Sequence, residues 1–193
     1  STLSAPKVEK FKSGKPIVFY GTSITQGGCA SRPGMTYSNI LGRWFDCEAI
    51  NLGFSGNARM DRSMLEAIKR IDAQKYVINC LPNCTQDIIR DSAYHFMSTL
   101  AKERPEVTIY MVENVEFTDR HINQRTAKDL IEKNRMWSDL YKQLRKEGYK
   151  NLRYIPSEGY VGTDDEHSVD GAHFTDLGFM RMAETFKKYL KKR

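Results

Sequence analysis

Short apolar runs alternate with longer amphipathic segments along most of the chain. Runs of this length are too brief for helices and are typical of strands buried on both faces. Each run is followed at once by a glycine, a proline or a charged residue, where a strand gives way to a loop. The pattern therefore predicts five strands, at 17–20, 49–52, 76–81, 107–112 and 152–155.

Between the predicted strands, apolar residues recur at intervals of three and four, which is the period of a helix with one buried face. This pattern is carried by residues 37–45, 60–71, 88–105, 130–148 and about 175–192. Strands that alternate with helices favour a parallel sheet covered on both faces, and right-handed crossovers then give a three-layer α/β/α sandwich. We therefore predict a flavodoxin-like fold with a five-stranded parallel sheet.

The segment 1–15 has only weak periodicity and contains Pro6 and Gly14. We interpret it as an arm, or as a linker from an upstream domain, and we assign 16–193 to one α/β domain. The chain starts at Ser1 without a basic-plus-apolar leader, which fits a processed or an excised chain. The residues themselves leave the cellular compartment open.

Composition and charge argue against two kinds of partner. Hydrophobic residues make up 40% of the chain and charged residues 28%, and no apolar run reaches the length of a membrane span. The net charge of +6 comes mostly from the end of the chain, at Lys187, Lys188, Lys191, Lys192 and Arg193. A basic face on a terminal helix is usually solvated. We therefore expect neither membrane insertion nor nucleic-acid binding.

The chain has four cysteines, and none of them forms a C-x-x-C pair. Since the His and Cys residues also lack metal-ligand spacing, we expect no metal and no cofactor. Cys47 and Cys80 lie inside apolar runs and are expected to behave as small buried hydrophobes. Cys29 and Cys84 follow strands, and the sequence leaves open whether they form a disulfide or remain two free thiols.

The first predicted strand leads into Gly21-Thr22-Ser23. Open α/β sheets keep their ligand chemistry at the carboxyl ends of central strands, so a hydroxyl here is a candidate nucleophile. One alternative is that the hydroxyls only cap the next helix. Another is a phosphate loop, as in flavin-binding flavodoxin-like proteins, although the segment lacks the glycine spacing of Walker and dinucleotide loops.

The loop after the fifth predicted strand contains the pattern D-x-x-H twice, at Asp164–His167 and at Asp170–His173. A serine nucleophile needs a base, and the base needs a carboxylate that fixes its tautomer. We choose Asp170 and His173, because the last predicted helix begins directly after them and fixes their turn. We expect His167 to be solvated in a mobile acidic loop. The remaining histidines are expected to have ordinary surface or packing roles: His95 and His121.

Four segments resemble, in order, the four blocks of the SGNH, or GDSL-like, hydrolases: Gly21-Thr22-Ser23, Asn51-Leu52-Gly53-Phe54-Ser55-Gly56-Asn57, Pro82-Asn83 and Asp170-Gly171-Ala172-His173. The resemblance covers about residues 16–190. It implies the SGNH hydrolase fold, with Ser23 as nucleophile, His173 as base and Asp170 as its orienting acid. It also implies an oxyanion hole made by the N–H groups of Ser23 and Gly56 and by the side-chain amide of Asn83.

Two positions depart from the pattern of that family. Thr22 stands where the family usually has Asp, which bears on how the loop is braced. The third block reads Leu81-Pro82-Asn83-Cys84 instead of G-x-N-D, which leaves the partner of Asn83 open.

From these residues we expect a serine esterase that removes small acyl groups, acetyl foremost, from a carbohydrate or another small ester. The expectation of a carbohydrate substrate is based on the loop 27–34. This loop resembles that of the family branch found in bacterial carbohydrate-active esterases. The alternatives are a glycan-binding module that has lost turnover and an acyl hydrolase of the lipase or thioesterase type. The resemblance also favours a secreted or periplasmic location.

Arg32 lies on the same loop after the candidate nucleophile. Its guanidinium is able to bind a carboxylate or sugar hydroxyls of the substrate. The alternative is an exposed arginine that pairs with solvent or with a neighbouring Glu.

Overall fold

The computed structural model describes residue 4 and residues 10–115 and 117–191. Five parallel strands form one sheet in the order β2-β1-β3-β4-β5. They are β1 (Ile17–Gly21), β2 (Ala49–Gly53), β3 (Lys75–Asn79), β4 (Thr108–Val112) and β5 (Leu152–Ile155). The predicted five-stranded α/β sandwich is confirmed, with strand ends that differ from the prediction by at most two residues.

Seven α-helices connect and cover the strands in the described part of the chain. They are α1 (Ser23–Gln26), α2 (Tyr37–Phe45), α3 (Arg62–Ile68), α4 (Gln86–Ile88), α5 (Tyr94–Glu103), α6 (Gln124–Lys146) and α7 (Asp176–Leu190). A π-helical segment, Ile89–Ala93, joins α4 to α5. Three short 3₁₀ segments complete the connections: Pro33–Met35, Leu81–Asn83 and Thr118–His121.

Side chains of β1 alternate between the two faces of the sheet and give each face its own apolar layer. Val18 and Tyr20 pack with α3, α5 and α6, where Trp137 is fully buried. Ile17 and Phe19 pack with α2 and α7 on the opposite face. Both layers are dominated by large aliphatic and aromatic side chains, which fixes the central strands and the loops at their carboxyl ends.

Gly21 ends β1 at a point where no side chain fits. A Cβ there would meet Thr25 Oγ1 and the carbonyl oxygen of Asn79. The close approach lets α1 begin within two residues of the strand, directly above the central sheet. This sharp turn positions Ser23.

Most of the predicted arm, residues 1–15, lies outside the described residues. Its last part contacts the domain, since Ser13 N–H donates to the carbonyl of Asp46 (3.2 Å) and Lys15 pairs with Asp72 (2.8 Å). At the other end, the predicted basic residues Lys192 and Arg193 lie outside the described ranges. Within those ranges, no helix has the length and apolar character needed to cross a membrane.

All four cysteines are free thiols. Cys47 and Cys80 are buried, as predicted from the apolar runs around them. Cys84 is also buried, whereas Cys29 is exposed. Of the two alternatives left open by the sequence, Cys29 and Cys84 are therefore two free thiols and form no disulfide.

Candidate active site

Three hydroxyl residues follow β1, and each has a different partner. Thr22 is the N-cap of α1 and accepts a hydrogen bond from the N–H of Ile24 on its Oγ1 (3.2 Å). Thr25 Oγ1 bonds with the hydroxyl of Tyr37 (2.8 Å) inside the core. Ser23 Oγ lies 2.8 Å from His173 Nε2. The capping interpretation therefore applies to Thr22, and Ser23 stays available for chemistry. Thr22 also braces the turn, although the family usually has Asp there.

His173 and Asp170 continue the series of contacts that begins at Ser23. Asp170 Oδ2 lies 2.7 Å from His173 Nδ1, while Asp170 Oδ1 accepts the backbone N–H groups of His173 (2.7 Å) and Ala172 (3.0 Å). These backbone bonds, followed by the bond to the imidazole, lower the pKa of Asp170 to about 2. The carboxylate is therefore charged near neutral pH. A charged carboxylate requires the proton on Nδ1 of a neutral His173, so Nε2 accepts the hydroxyl proton of Ser23.

The turn that carries Asp170 and His173 is fixed at both ends. Val169 N–H donates to the carbonyl of His173 (2.8 Å), and Ser168 pairs with Phe174 in an isolated β-bridge. Phe174 is fully buried, and Thr175 then caps α7 by accepting from the N–H of Gly178 (3.1 Å). The helix entry thus holds the turn that carries Asp170 and His173, as expected from its position directly before α7.

The prediction for His167 was wrong. His167 is 3% exposed, and its ring packs edge-on against Phe174 at 5.7 Å between ring centres. Its expected carboxylate, Asp164, instead binds Arg181 through both oxygens (2.6 and 2.8 Å), which holds the pKa of Asp164 well below its usual range. The acidic loop is therefore anchored by an arginine. The other two histidines are exposed, as expected: His95 and His121.

Asn83 follows β3 and shares one cleft with Ser23 and His173. Its Oδ1 accepts the backbone N–H of Ala58 (3.3 Å), so its side-chain NH₂ is the end that remains to donate. The neighbouring thiol of Cys84 contacts the carbonyls of Ala58 (3.6 Å) and Cys80 (3.3 Å). The partner of Asn83, left open by the sequence, is therefore the backbone after β2.

The cleft has a volume of about 180 Å³ and is lined by Thr22, Ser23, Ile24, Pro82, Asn83, Phe117, Ala172 and His173. Three of the predicted site residues do not line it. Asp170 contacts His173 from outside the lining. Gly56 lies in the exposed turn after β2 with a left-handed backbone (φ 70°), and Arg32 is exposed on the loop after α1. Their roles in an oxyanion hole and in substrate binding stay predictions.

The sequence analysis assigns no role at the site to two residues that lie near it, Phe117 and Cys29, although it singles out the loop 27–34 that contains Cys29. Phe117 follows β4 and lines both the cleft and a second cavity of about 230 Å³ beside α6. Cys29 comes from the loop after α1 and lies beside the acid–base pair: its sulfur and one ligand atom each of Asp170 and His173 are within 4.8 Å of one another. Ser23 and Asn83 were predicted because they lie at the carboxyl ends of strands. Phe117 and Cys29 do not follow a strand directly, so this argument does not identify them.

The chain is similar to known proteins over nearly its whole length. The model of the GDSL-like lipase/acylhydrolase family matches residues 14–191. Among solved structures, a candidate GDSL-like lipase from Bacteroides ovatus is similar at 36% sequence identity with a TM-score of 0.90, over 96% of this chain and 54% of that one. The present chain thus spans about half the length of that relative.

Two more distant structures share the fold. A two-domain esterase active on acetylated mannans is 17% identical, with a TM-score of 0.68 over 92% of this chain and 49% of that one. A family two carbohydrate esterase from Clostridium thermocellum, in complex with cellohexaose, is 16% identical, with a TM-score of 0.67 over 98% and 66%. Among curated protein sequences there is no significant match.

Proposed function

The chain belongs to the GDSL-like lipase/acylhydrolase family, and from that premise we propose that it is a serine esterase that removes small acyl groups. One observation carries the proposal. Asp170, His173 and Ser23 form a continuous hydrogen-bonded series, with 2.7 Å between Oδ2 and Nδ1 and 2.8 Å between Nε2 and Oγ. This order of acid, base and hydroxyl is what nucleophilic acyl transfer requires.

In the proposed reaction, Ser23 Oγ attacks the ester carbonyl while His173 Nε2 takes its proton. The imidazolium that forms is stabilised by the charged carboxylate of Asp170. His173 then gives the proton to the leaving alcohol, which leaves an acyl group on Ser23. Water, deprotonated by the same nitrogen, attacks the acyl group, and the proton returns to Ser23 as the acid leaves.

The carbonyl oxygen gains negative charge at each attack and needs donors that are already in place. The backbone N–H of Ser23 and the NH₂ of Asn83 are proposed for this role, since both groups belong to residues that line the cleft. Gly56 is proposed as a third donor on the family resemblance alone. Its exposed turn would have to supply the N–H from outside the cleft lining.

An acetyl ester of a carbohydrate is the proposed substrate class. The small cleft, about 180 Å³, supports a short acyl group. The carbohydrate is supported by the two esterases of the same fold, one active on acetylated mannans and one in complex with cellohexaose. A second candidate is a longer acyl chain, because the cavity beside α6 shares Phe117 with the cleft and is lined in part by Ala127, Leu130 and Ile131.

The first test is hydrolysis of p-nitrophenyl acetate by the protein and by Ser23→Ala. We expect the variant to lose at least about 10³-fold in kcat/KM, because nucleophile removal leaves only the residual effect of binding and of the oxyanion hole. Ser55→Ala is the matched control, since Ser55 is an exposed serine on the loop after β2. An equal rate in Ser23→Ala and in the parent protein would remove Ser23 from the mechanism.

A fluorophosphonate probe separates an esterase from a glycan-binding module. The esterase should be labelled once per chain, and labelling should disappear in Ser23→Ala. A protein that stays unlabelled but binds acetylated or plain oligosaccharides would be a binding module. Release of acetate from a panel of acetylated oligosaccharides then identifies the sugar.

A further inference from the structure

Cys29, Asp170 and His173 present three different metal-ligand groups at one exposed point of the site. One ligand atom from each residue lies within 4.8 Å of the other two. Thiolate, imidazole and carboxylate are the three side-chain types that bind zinc, and a tetrahedral ion holds such ligands at about 2.0–2.3 Å. Small side-chain movements would therefore bring all three groups onto one ion.

The loop after α1 holds Cys29 at this place. The N–H groups of Gly27 and Gly28 both donate to the carbonyl of Ser23, at 2.9 and 2.8 Å. The backbone of Gly28 lies against the imidazole, since a Cβ there would be 3.4 Å from His173 Cδ2. On the other side, the N–H of Ser31 donates to the carboxylate of Asp176 (2.9 Å). Cys29 is thus positioned between two fixed points, close to the acid–base pair.

We propose that Cys29, Asp170 and His173 form a reversible inhibitory site for a thiophilic divalent cation, Zn²⁺ or Cd²⁺. The soft sulfur selects these ions over Mg²⁺ and Ca²⁺, which prefer oxygen ligands only. Three protein ligands leave a fourth position for water, as in open zinc sites. On binding, the thiol of Cys29 releases its proton to solvent and the sulfur lone pair forms the bond to the metal.

Occupation of this site would stop catalysis whichever imidazole nitrogen binds. A metal on Nε2 takes the lone pair that receives the proton of Ser23. A metal on Nδ1 displaces the bond to Asp170 and places the remaining N–H proton on Nε2, which then cannot accept. This inhibition rests on the proposed role of His173 as base, whereas metal binding does not.

Metal binding is measured first, with Co²⁺ as a spectroscopic substitute and with Cd²⁺ by calorimetry. We expect one ion per chain, with a thiolate-to-cobalt charge-transfer band, and the same binding in Ser23→Ala. Cys29→Ser and His173→Ala should each weaken binding at least about tenfold, and Cys29→Ser should remove the band. Cys29→Gly is a second variant, because glycine suits the left-handed backbone of Cys29 (φ 69°). Cys47→Ala, a change at a buried and distant thiol, should bind as the parent does.

Inhibition is measured next, with Zn²⁺ and p-nitrophenyl acetate. We expect chelator-reversible loss of activity in the parent and in Cys47→Ala, and at least tenfold lower sensitivity in Cys29→Ser and Cys29→Gly. Equal Co²⁺ affinity in the parent and both Cys29 variants would overturn the site, as would full esterase activity in the zinc-saturated parent. If the parent has no esterase activity, the proposed function fails, but Co²⁺ binding still decides on this site.

Discussion

The carboxylate of Asp170 accepts hydrogen bonds on both oxygens, and the two sets of bonds act differently on His173. Oδ1 binds the backbone of the turn, which holds the carboxylate in place, while Oδ2 fixes the imidazole through Nδ1. The folded pKa of about 2 lies below the ordinary Asp value of about 3.9. The group therefore stabilises the fold above about pH 4, and this contribution is lost as the pH falls towards 2.

Asp170→Asn should lower kcat/KM for p-nitrophenyl acetate by roughly 10⁴-fold, without unfolding the protein. An amide can still accept the backbone N–H groups, but its NH₂ would then face Nδ1 of His173. That contact favours the tautomer with the proton on Nε2, which cannot accept the proton of Ser23. The loss is measured as kcat/KM, and the tautomer is identified from the NMR chemical shifts of the imidazole nitrogens of His173.

Asp164→Asn is the matched control for that substitution. Asp164 is the carboxylate of the other D-x-x-H pattern and binds Arg181 on an exposed part of the surface. We expect kcat/KM near the parent value, because surface ion pairs add little stability and this one does not contact the site. If Asp164→Asn is the inactive variant and Asp170→Asn the active one, the acid is Asp164.

At the scale of elements, the strands were predictable because each is a short apolar run that is buried or half-buried between neighbours. The helices were less predictable from the sequence. The apolar helical period begins at Met60, but Met60 and Asp61 do not lie in α3, since Met60 has a left-handed backbone (φ 58°) and Asp61 is the N-cap. The π-helical segment 89–93 is likewise invisible in the pattern, because its apolar residues keep nearly helical spacing.

The position of each site residue relative to the strands and helices explains whether it could be predicted from the sequence. Ser23 and Asn83 follow central strands directly, so the topology of a parallel sheet brings them to one edge. His173 and Asp170 lie one turn apart at a helix entry. Cys29 is held at the site by local bonds from Gly27 and Gly28 to Ser23 and also by a contact between separate elements, Ser31 with Asp176. No local pattern in the sequence encodes the second contact.

The contact between Ser31 and Asp176 joins the loop after α1 to the first turn of α7. Both the N–H and the hydroxyl of Ser31 bind this carboxylate, and they are the main cause of its lowered pKa. Asp176→Ala should therefore speed amide exchange across residues 28–32, while the N-cap of α7 at Thr175 is kept. Hydrogen–deuterium exchange gives the measurement. Glu184→Ala, an exposed acidic position on the same helix, should leave exchange unchanged.

At the scale of the whole molecule, the site lies where the loops after β1, β3 and β5 meet, with Phe117 from the connection after β4 at its side. Phe117 lines both the cleft at Ser23 and the cavity beside α6. We expect the size of these two spaces, rather than the acid–base pair, to set the length of acyl chain that fits. A preference for chain length would then depend on how the loops after β1, β3, β4 and β5 pack together.

Phe117→Ala should join the two cavities and shift the preference of the enzyme towards longer acyl chains. The parent protein should hydrolyse p-nitrophenyl acetate with a higher kcat/KM than the hexanoate, because the cleft of about 180 Å³ has little room beyond a short chain. In the variant, the hexanoate-to-acetate ratio of kcat/KM should rise at least about tenfold, since each buried CH₂ contributes about 0.8 kcal/mol. Phe11→Ala, at an exposed phenylalanine near α2, is the control and should leave the ratio unchanged.

A parent protein that already prefers the hexanoate would favour the lipase or thioesterase type of acyl hydrolase. An unchanged ratio in Phe117→Ala would show that the cavity beside α6 takes no part in acyl binding.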